Sequence, residues 1–254
     1  LAAVTDFAIE IEDLVKRFGG LTATDHLSMQ VEIGEIHAVI GPNGAGKTTL
    51  IGQLTGEIRP DGGRILFGGR DLGHMAVHKR SAIGLARSFQ ITNVLQDFTA
   101  LQNVALSVQA HDGHSFRFWK PASEQEELTG PALEVLDRVG LADRAKVTAS
   151  SLSHGEQRQL EIAMALATGP KVLLLDEPMA GMGPEDSQRM VKILLSLKHD
   201  LTILLVEHDM DAVFALADRI TVLVYGQAIA TGTPEDIRNN PEVRSAYLGD
   251  EQDA

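Results

Sequence analysis

Two short runs in this chain hold residues whose types and spacing suit phosphoryl chemistry. The first is Gly41, Pro42, Asn43, Gly44, Ala45, Gly46, Lys47, Thr48 and Thr49. Its glycines allow tight turns, so that several backbone N–H groups can point inward at phosphate oxygens. Lys47 is spaced to reach β- and γ-phosphates, and Thr48 can set a hydroxyl on Mg²⁺. A helix starting there would aim its positive end at the same anion. A plain glycine-rich turn would explain neither Lys47 nor Thr48. The second run is Lys171 to Pro178, where the apolar Val172–Leu175 delivers Asp176 and Glu177 side by side. Sheets of α/β proteins place ligands at the C-terminal ends of their strands. There Asp176 would hold the Mg²⁺ shell, and Glu177 would polarise an attacking water. Both runs together predict a site for a nucleoside triphosphate.

A third run, Leu152 to Gln157, opens a helix. Ser153 suits the N-cap, and Gly155 leaves N–H groups accessible at the positive helix end. Capping alone would explain both residues, but not why such a site precedes the carboxylate strand at this spacing.

The elements that must position these residues follow from periodicity. Phe7–Glu12 and Leu27–Glu32 alternate apolar and polar residues as half-buried strands do, and Arg64–Phe67 is a short strand between glycine pairs. Leu101–Gln109 and Pro131–Val139 read as helices, the second with Leu133, Leu136 and Val139 on its inner side. A further helix is expected from Glu156 to about Thr168, with Leu160, Ala163 and Leu166 inward and Gly169-Pro170 stopping it. Val172–Leu175 and Leu201–Val206 are fully apolar strands around a helix that starts near Pro184, which means parallel pairing in a covered sheet. Ile220–Val224 and Ala228-Ile229 form a late pair, and Pro234–Leu248 reads as short helices. His111–Pro121 is an irregular insert bearing aromatic residues.

The chain has 254 residues, 44% of them hydrophobic and 22% charged, which is ample material for one α/β domain. Its formal charge of −13 argues against a general nucleic-acid binder. With no cysteine there is no disulfide or thiol chemistry. No stretch approaches the roughly 18 apolar residues of a membrane span. The start of the chain lacks the basic region of a signal peptide, so a soluble chain is expected. Any membrane role would come through a partner.

In this order the motifs resemble those of ABC ATPases over nearly the whole chain. Gly41–Thr48 is similar to Walker A, Lys171–Glu177 to Walker B, and Leu152–Glu156 to the family signature. The resemblance implies a P-loop (RecA-like) core with an N-terminal antiparallel β subdomain and an inserted helical subdomain. It divides one cassette, 1–254, into a nucleotide-binding core at 1–90 and 166–254 and a helical part at 91–165. It also implies further roles: Phe18 stacking on adenine, Gln90 as the Q-loop glutamine near metal and water, and His208 as the switch histidine. Glu177, His208, Lys47 and Gln90 become the catalytic set, and Thr48, Gln90 and Asp176 the metal set. Ser153 and Gly155 would contact the γ-phosphate of a second ATPase subunit. The implied partners are that subunit, ATP with Mg²⁺, and membrane-spanning permease subunits at the cytoplasmic face of the membrane. The chain departs from the family at His154, Glu156 and Gly183.

Arg87–Gln90, Leu160–Ala163, Glu207–Met210, Asn239–Pro241 and Ala246–Gly249 are similar to the subfamily that energises branched-chain amino acid import. Lipopolysaccharide-export ATPases are similar at the ends but typically lack the insert. A soluble ABC ATPase acting on ribosomes or DNA is the alternative from another class. It would usually carry two cassettes or a coiled-coil insertion. A GTPase-like switch would have no use for Leu152–Glu156.

Overall fold

The computed structural model describes residues 6–88, 94–112, 126–198 and 200–248. Gln90 and residues 113–125 of the insert lie outside the described residues. An antiparallel sheet joins β1 (Phe7–Phe18), β2 (Leu21–Glu32), β4 (Gly62–Phe67) and β5 (Arg70–Asp71) in the order β2-β1-β4-β5. The second sheet contains β3 (Ile36–Ile40), β6 (Leu85–Arg87), β7 (Val172–Asp176), β8 (Thr202–Val206), β9 (Arg219–Val224) and β10 (Gln227–Gly232). Its order is β10-β9-β3-β8-β7-β6, parallel throughout except for β10. This is the α/β core with an antiparallel subdomain that the resemblance implied.

All five residues of β7 and all five of β8 are buried, because both faces of the sheet are covered. Strand alternation sorts them. Leu173, Leu175, Ile203 and Leu205 pack with α3 (Ala100–Asp112), α4 (Glu126–Arg138), α5 (His154–Leu166) and α6 (Pro184–Leu197). Val172, Leu174, Leu204 and Val206 pack with the antiparallel sheet and α1 (Lys47–Thr55). Asp176 falls in phase with Val172 and Leu174, so alternation aims it toward the layer that contains α1. His37, inside apolar β3, is buried with its ring nitrogens 2.8 Å from Glu35 Oε1 and 2.8 Å from Thr221 Oγ1.

Several boundaries differ from the sequence reading. β1 runs on to Phe18, with irregular register after Ile11 that hides the alternation. α4 begins at Glu126 and contains Pro131. Its buried stripe is Leu128, Ala132 and Leu136, one turn apart, whereas Leu133 is exposed. Packing against α3 therefore overrides the helix-breaking tendency of Gly130 and Pro131. α5 starts two residues before the expected Glu156 because Ser153 is its N-cap, while Leu160, Ala163 and Leu166 are buried as expected.

α2 (Val77–Ala82) contributes Arg80, which is buried under the end of α1. Its guanidinium donates to the carbonyls of Gln53 at 2.8 Å, Leu54 at 2.7 Å and Met75 at 3.0 Å. Gln53 and Leu54 lie in the last turn of α1, where carbonyls have no helical partner. The remaining α-helices among the described residues are α7 (Met210–Leu216), α8 (Pro234–Asn239) and α9 (Pro241–Leu248). Ile237 of α8 and Val243 of α9 pack beside Val213 of α7 and Ile220 of β9. No helix among the described residues is long and apolar enough to cross a membrane.

Candidate nucleotide-hydrolysis site

The loop from Gly41 to Gly46 leaves the C-terminal end of β3 and runs into α1. Two of its glycines are compelled by their surroundings. A Cβ on Gly41 would lie 2.1 Å from the Leu223 carbonyl oxygen, and one on Gly46 2.2 Å from that of Ala23. The hairpin of β9 and β10 and strand β2 thus press on the loop from two sides. The Gly226 N–H donates to Ala45 O at 3.0 Å, and the Asp25 N–H to Gly226 O at 2.9 Å. Lys47 folds back over the loop, donating to Gly41 O at 2.6 Å and Pro42 O at 3.0 Å. Pro42, Asn43, Gly44, Ala45, Thr48 and Thr49 complete the run, with Thr48 exposed at the helix start.

Asp176 ends β7 and is only 2% exposed. Burial pushes its carboxyl above the usual range, against the pull of the Arg87 guanidinium. Arg87 Nη2 lies 3.1 Å from Asp176 Oδ2 while Nη1 bonds Glu57 Oε2 at 2.7 Å. Burial likewise lowers the Lys47 ammonium, which Glu177 and Asp176 pull back up. That mutual influence places one cation and two carboxylates in a single electrostatic neighbourhood. Glu177 leaves the strand at φ 49°, a left-handed conformation that non-glycine residues adopt at a cost. Its N–H still donates to Val206 O at 2.8 Å, so the turned residue is held to the C-terminal end of β8.

His208 follows β8, and its Nδ1 is 3.7 Å from Glu177 Oε1 and 3.5 Å from Glu207 Oε2. The structure therefore brings Lys47, Asp176, Glu177 and His208 to one end of the parallel sheet. Phe18 ends β1, 48% exposed, with Lys16 Nζ 5.3 Å from its ring centroid.

Ser153 and Glu156 form a capping box: Ser153 Oγ accepts from the Glu156 N–H at 3.2 Å, and Glu156 Oε2 accepts from the Ser153 N–H at 2.8 Å. Arg144 Nε adds a bond to Glu156 Oε1 at 2.9 Å. The departure from the signature at Glu156 is thus a helix-starting device, and it engages two of the N–H groups at this helix end. His154 and Gly155 occupy the first helical turn, whose N–H groups have no acceptor in the helix itself. Gly155 is pressed against α6, since a Cβ there would lie 2.8 Å from the Asp186 carboxyl carbon. Gly183 is the N-cap of α6 and has no capping side chain.

Arg87 and Glu207 take part in the site although the motifs assign them no role. Each is a charged residue where a buried strand ends, which is the signal that could have marked it. Beside Arg87 lies a groove of about 380 Å³ whose lining includes Val77, Ser88, Glu161 and Met164.

The ABC transporter family model matches residues 24–180, and that of the branched-chain amino acid ATP-binding cassette transporters matches 229–253. The chain is 39% identical over 250 residues to the high-affinity branched-chain amino acid transport ATP-binding protein BraF of Pseudomonas aeruginosa, covering 95% of this chain and 98% of that protein. It is 40% identical over 249 residues to the corresponding LivG of Escherichia coli, with the same coverage. Among solved structures, the ADP conformation of MJ1267, an ATP-binding cassette of an ABC transporter, superposes with a TM-score of 0.85 at 31% identity. That match covers 96% of this chain and 100% of MJ1267. The chain belongs to the ABC transporter ATP-binding proteins of the branched-chain amino acid (LivG/BraF) type, which hydrolyse ATP to drive transport.

Proposed function

We propose that this chain energises import of branched-chain amino acids from the cytoplasmic face of the membrane, paired with a second ATPase subunit and docked on permease subunits. The observation that carries the mechanism is the cluster of Lys47, Asp176, Glu177 and His208 at one sheet end. The run Gly41 to Thr49 cradles the phosphates of ATP, Lys47 supplies the positive charge, and Phe18 stacks on adenine. Glu177 acts as base toward water, and His208 orients the reacting groups. Ser153 and Gly155 close the partner's site from the first turn of α5. Residues 91–165 act as the helical part and 1–90 with 166–254 as the core, coupled to the permease through the groove beside Arg87 and Ser88.

Thr48, Asp176 and Gln90 fit Mg²⁺ by donor type, all being oxygen ligands. Among the described residues no cluster of three acidic or histidine groups could hold a metal alone. Mg²⁺ is commonly carried by one or two carboxylates together with substrate phosphates. Held by these residues, the cation would supply neutralisation of charge on the transferred group.

The test is reconstitution. The chain, a second ATPase and the permease proteins that co-purify with it should import labelled leucine, isoleucine or valine when ATP and a solute-binding protein are supplied. Uptake of an unrelated solute with no response to these three would overturn the substrate class. Co-purification with no membrane-spanning protein from detergent extract would overturn the transport reading.

A further inference from the structure

Glu207 is a buried carboxylate, 1% exposed, in the first position after β8. Its two oxygens reach two separate loops. Oε1 accepts from the Met179 N–H at 3.0 Å, and Met179 lies two residues after Glu177 on the segment leading to α6. Oε2 accepts from the N–H groups of His208 at 2.8 Å and Asp209 at 3.2 Å. One side chain therefore ties the loop carrying Glu177 to the loop carrying His208. Oε2 is also the atom 3.5 Å from His208 Nδ1, on the side where that nitrogen stands 3.7 Å from Glu177 Oε1.

A buried carboxylate with three backbone donors could be simple loop stabilisation. The placement says more, because the bond that fixes the main chain of His208 also fixes how its ring meets Glu177. We propose that Glu207 is a positioning residue for ATP hydrolysis, a two-ended acceptor that sets the spacing and orientation of Glu177 and His208. This rests on the roles proposed above for those two residues. Only a glutamate meets the demand. Aspartate is one methylene shorter and cannot span both loops, while glutamine would turn a donor toward one set of N–H groups. Misplacing reacting groups by about an ångström costs up to ~10²-fold in rate, so a loss of about 10- to 100-fold in kcat is expected.

The experiment measures kcat, KM and nucleotide Kd for E207Q, E207D, H208A and the double variant E207Q/H208A in the assembled transporter, with thermal melts of each. E207Q and E207D should lose about 10- to 100-fold in kcat while Kd stays within about twofold of the parent. In the H208A background, E207Q should cost clearly less than it does in the parent, because the part of its effect that passes through His208 is already lost. Parental kcat in a folded E207Q or E207D would overturn the proposal. So would a full multiplicative loss in the double variant, or a Kd that weakens in step with kcat. Should E207Q not fold, E207D keeps a carboxylate in the site and decides alone. E177Q serves as the control for the underlying reading. If it turns over normally, the assignment of the base fails; if only the Glu207 variants are normal, this proposal fails and the base assignment stands.

Discussion

Asp176 and Lys47 are both perturbed first by loss of water, and each is then partly restored by opposite charge. Electrostatic stabilisation is most effective where charged groups are held in a water-poor site of this kind. Two substitutions separate binding from chemistry. Lys47→Ala removes a cation directed at phosphate oxygens and should weaken ATP binding by about 10- to 100-fold, measured by calorimetry. Glu177→Gln keeps shape and loses basicity, so ATP should bind as before while kcat falls by about 10²–10⁴-fold. Turnover within about twofold of the parent would show that another group is the base. These residues were legible in the sequence because a motif brings chemistry and spacing together in one run. Arg80, Arg87 and Glu207 were not. Their partners are main-chain groups or side chains tens of residues away, as with Arg80 and the carbonyls of Gln53 and Leu54, and no local pattern encodes that meeting.

Elements carry the site through their ends. α5 is started by the capping box of Ser153 and Glu156, and the Glu156 carboxyl lies below its usual range. Burial alone would raise it; the bond from the Ser153 N–H and the Arg144 guanidinium outweigh that. A carboxyl lowered by folding adds stability above its unfolded pKa and loses it as pH falls through the folded value. Parent and Glu156→Gln should therefore converge in stability between about pH 5 and pH 3, the parent losing more, by urea unfolding at each pH. Parallel pH profiles would mean that the charge of Glu156 contributes nothing to the helix start. α1 is held at its other end by Arg80. Arg80→Met should cost about 2–4 kcal/mol, because buried carbonyls lose charged donors, and would appear as a lower denaturation midpoint. α5 was legible from the stripe of Leu160, Ala163 and Leu166, and α6 from its place between two apolar strands after Gly183-Pro184. The start of α4 was not, because Gly130 and Pro131 read as breakers and only the stripe of Leu128, Ala132 and Leu136 against α3 reveals why they are tolerated.

At the scale of the molecule, the parallel order could be anticipated because β7 and β8 are apolar on both faces and joined through α6. Pairing with a second subunit is a prediction that the whole assembly must meet. Mixing Ser153→Arg with Lys47→Ala subunits should restore about one working site in the mixed pair, whereas each variant alone should be nearly inactive. Absence of complementation in the assembled transporter would mean that each site is completed within one chain. The hairpin of β9 and β10 bears on when the molecule becomes competent. Leu223 and Gly226 touch the loop of Gly41 to Gly46, yet they emerge from synthesis long after it. Contacts of such sequence separation form late, since loop closure must precede them. A growing chain thus holds its phosphate loop, and even its Walker B carboxylates, before the hairpin presses that loop from the side opposite β2. Nucleotide affinity should appear only once the hairpin has left the ribosome, so that the unfinished cassette is kept from ATP until nearly all of its core has been made.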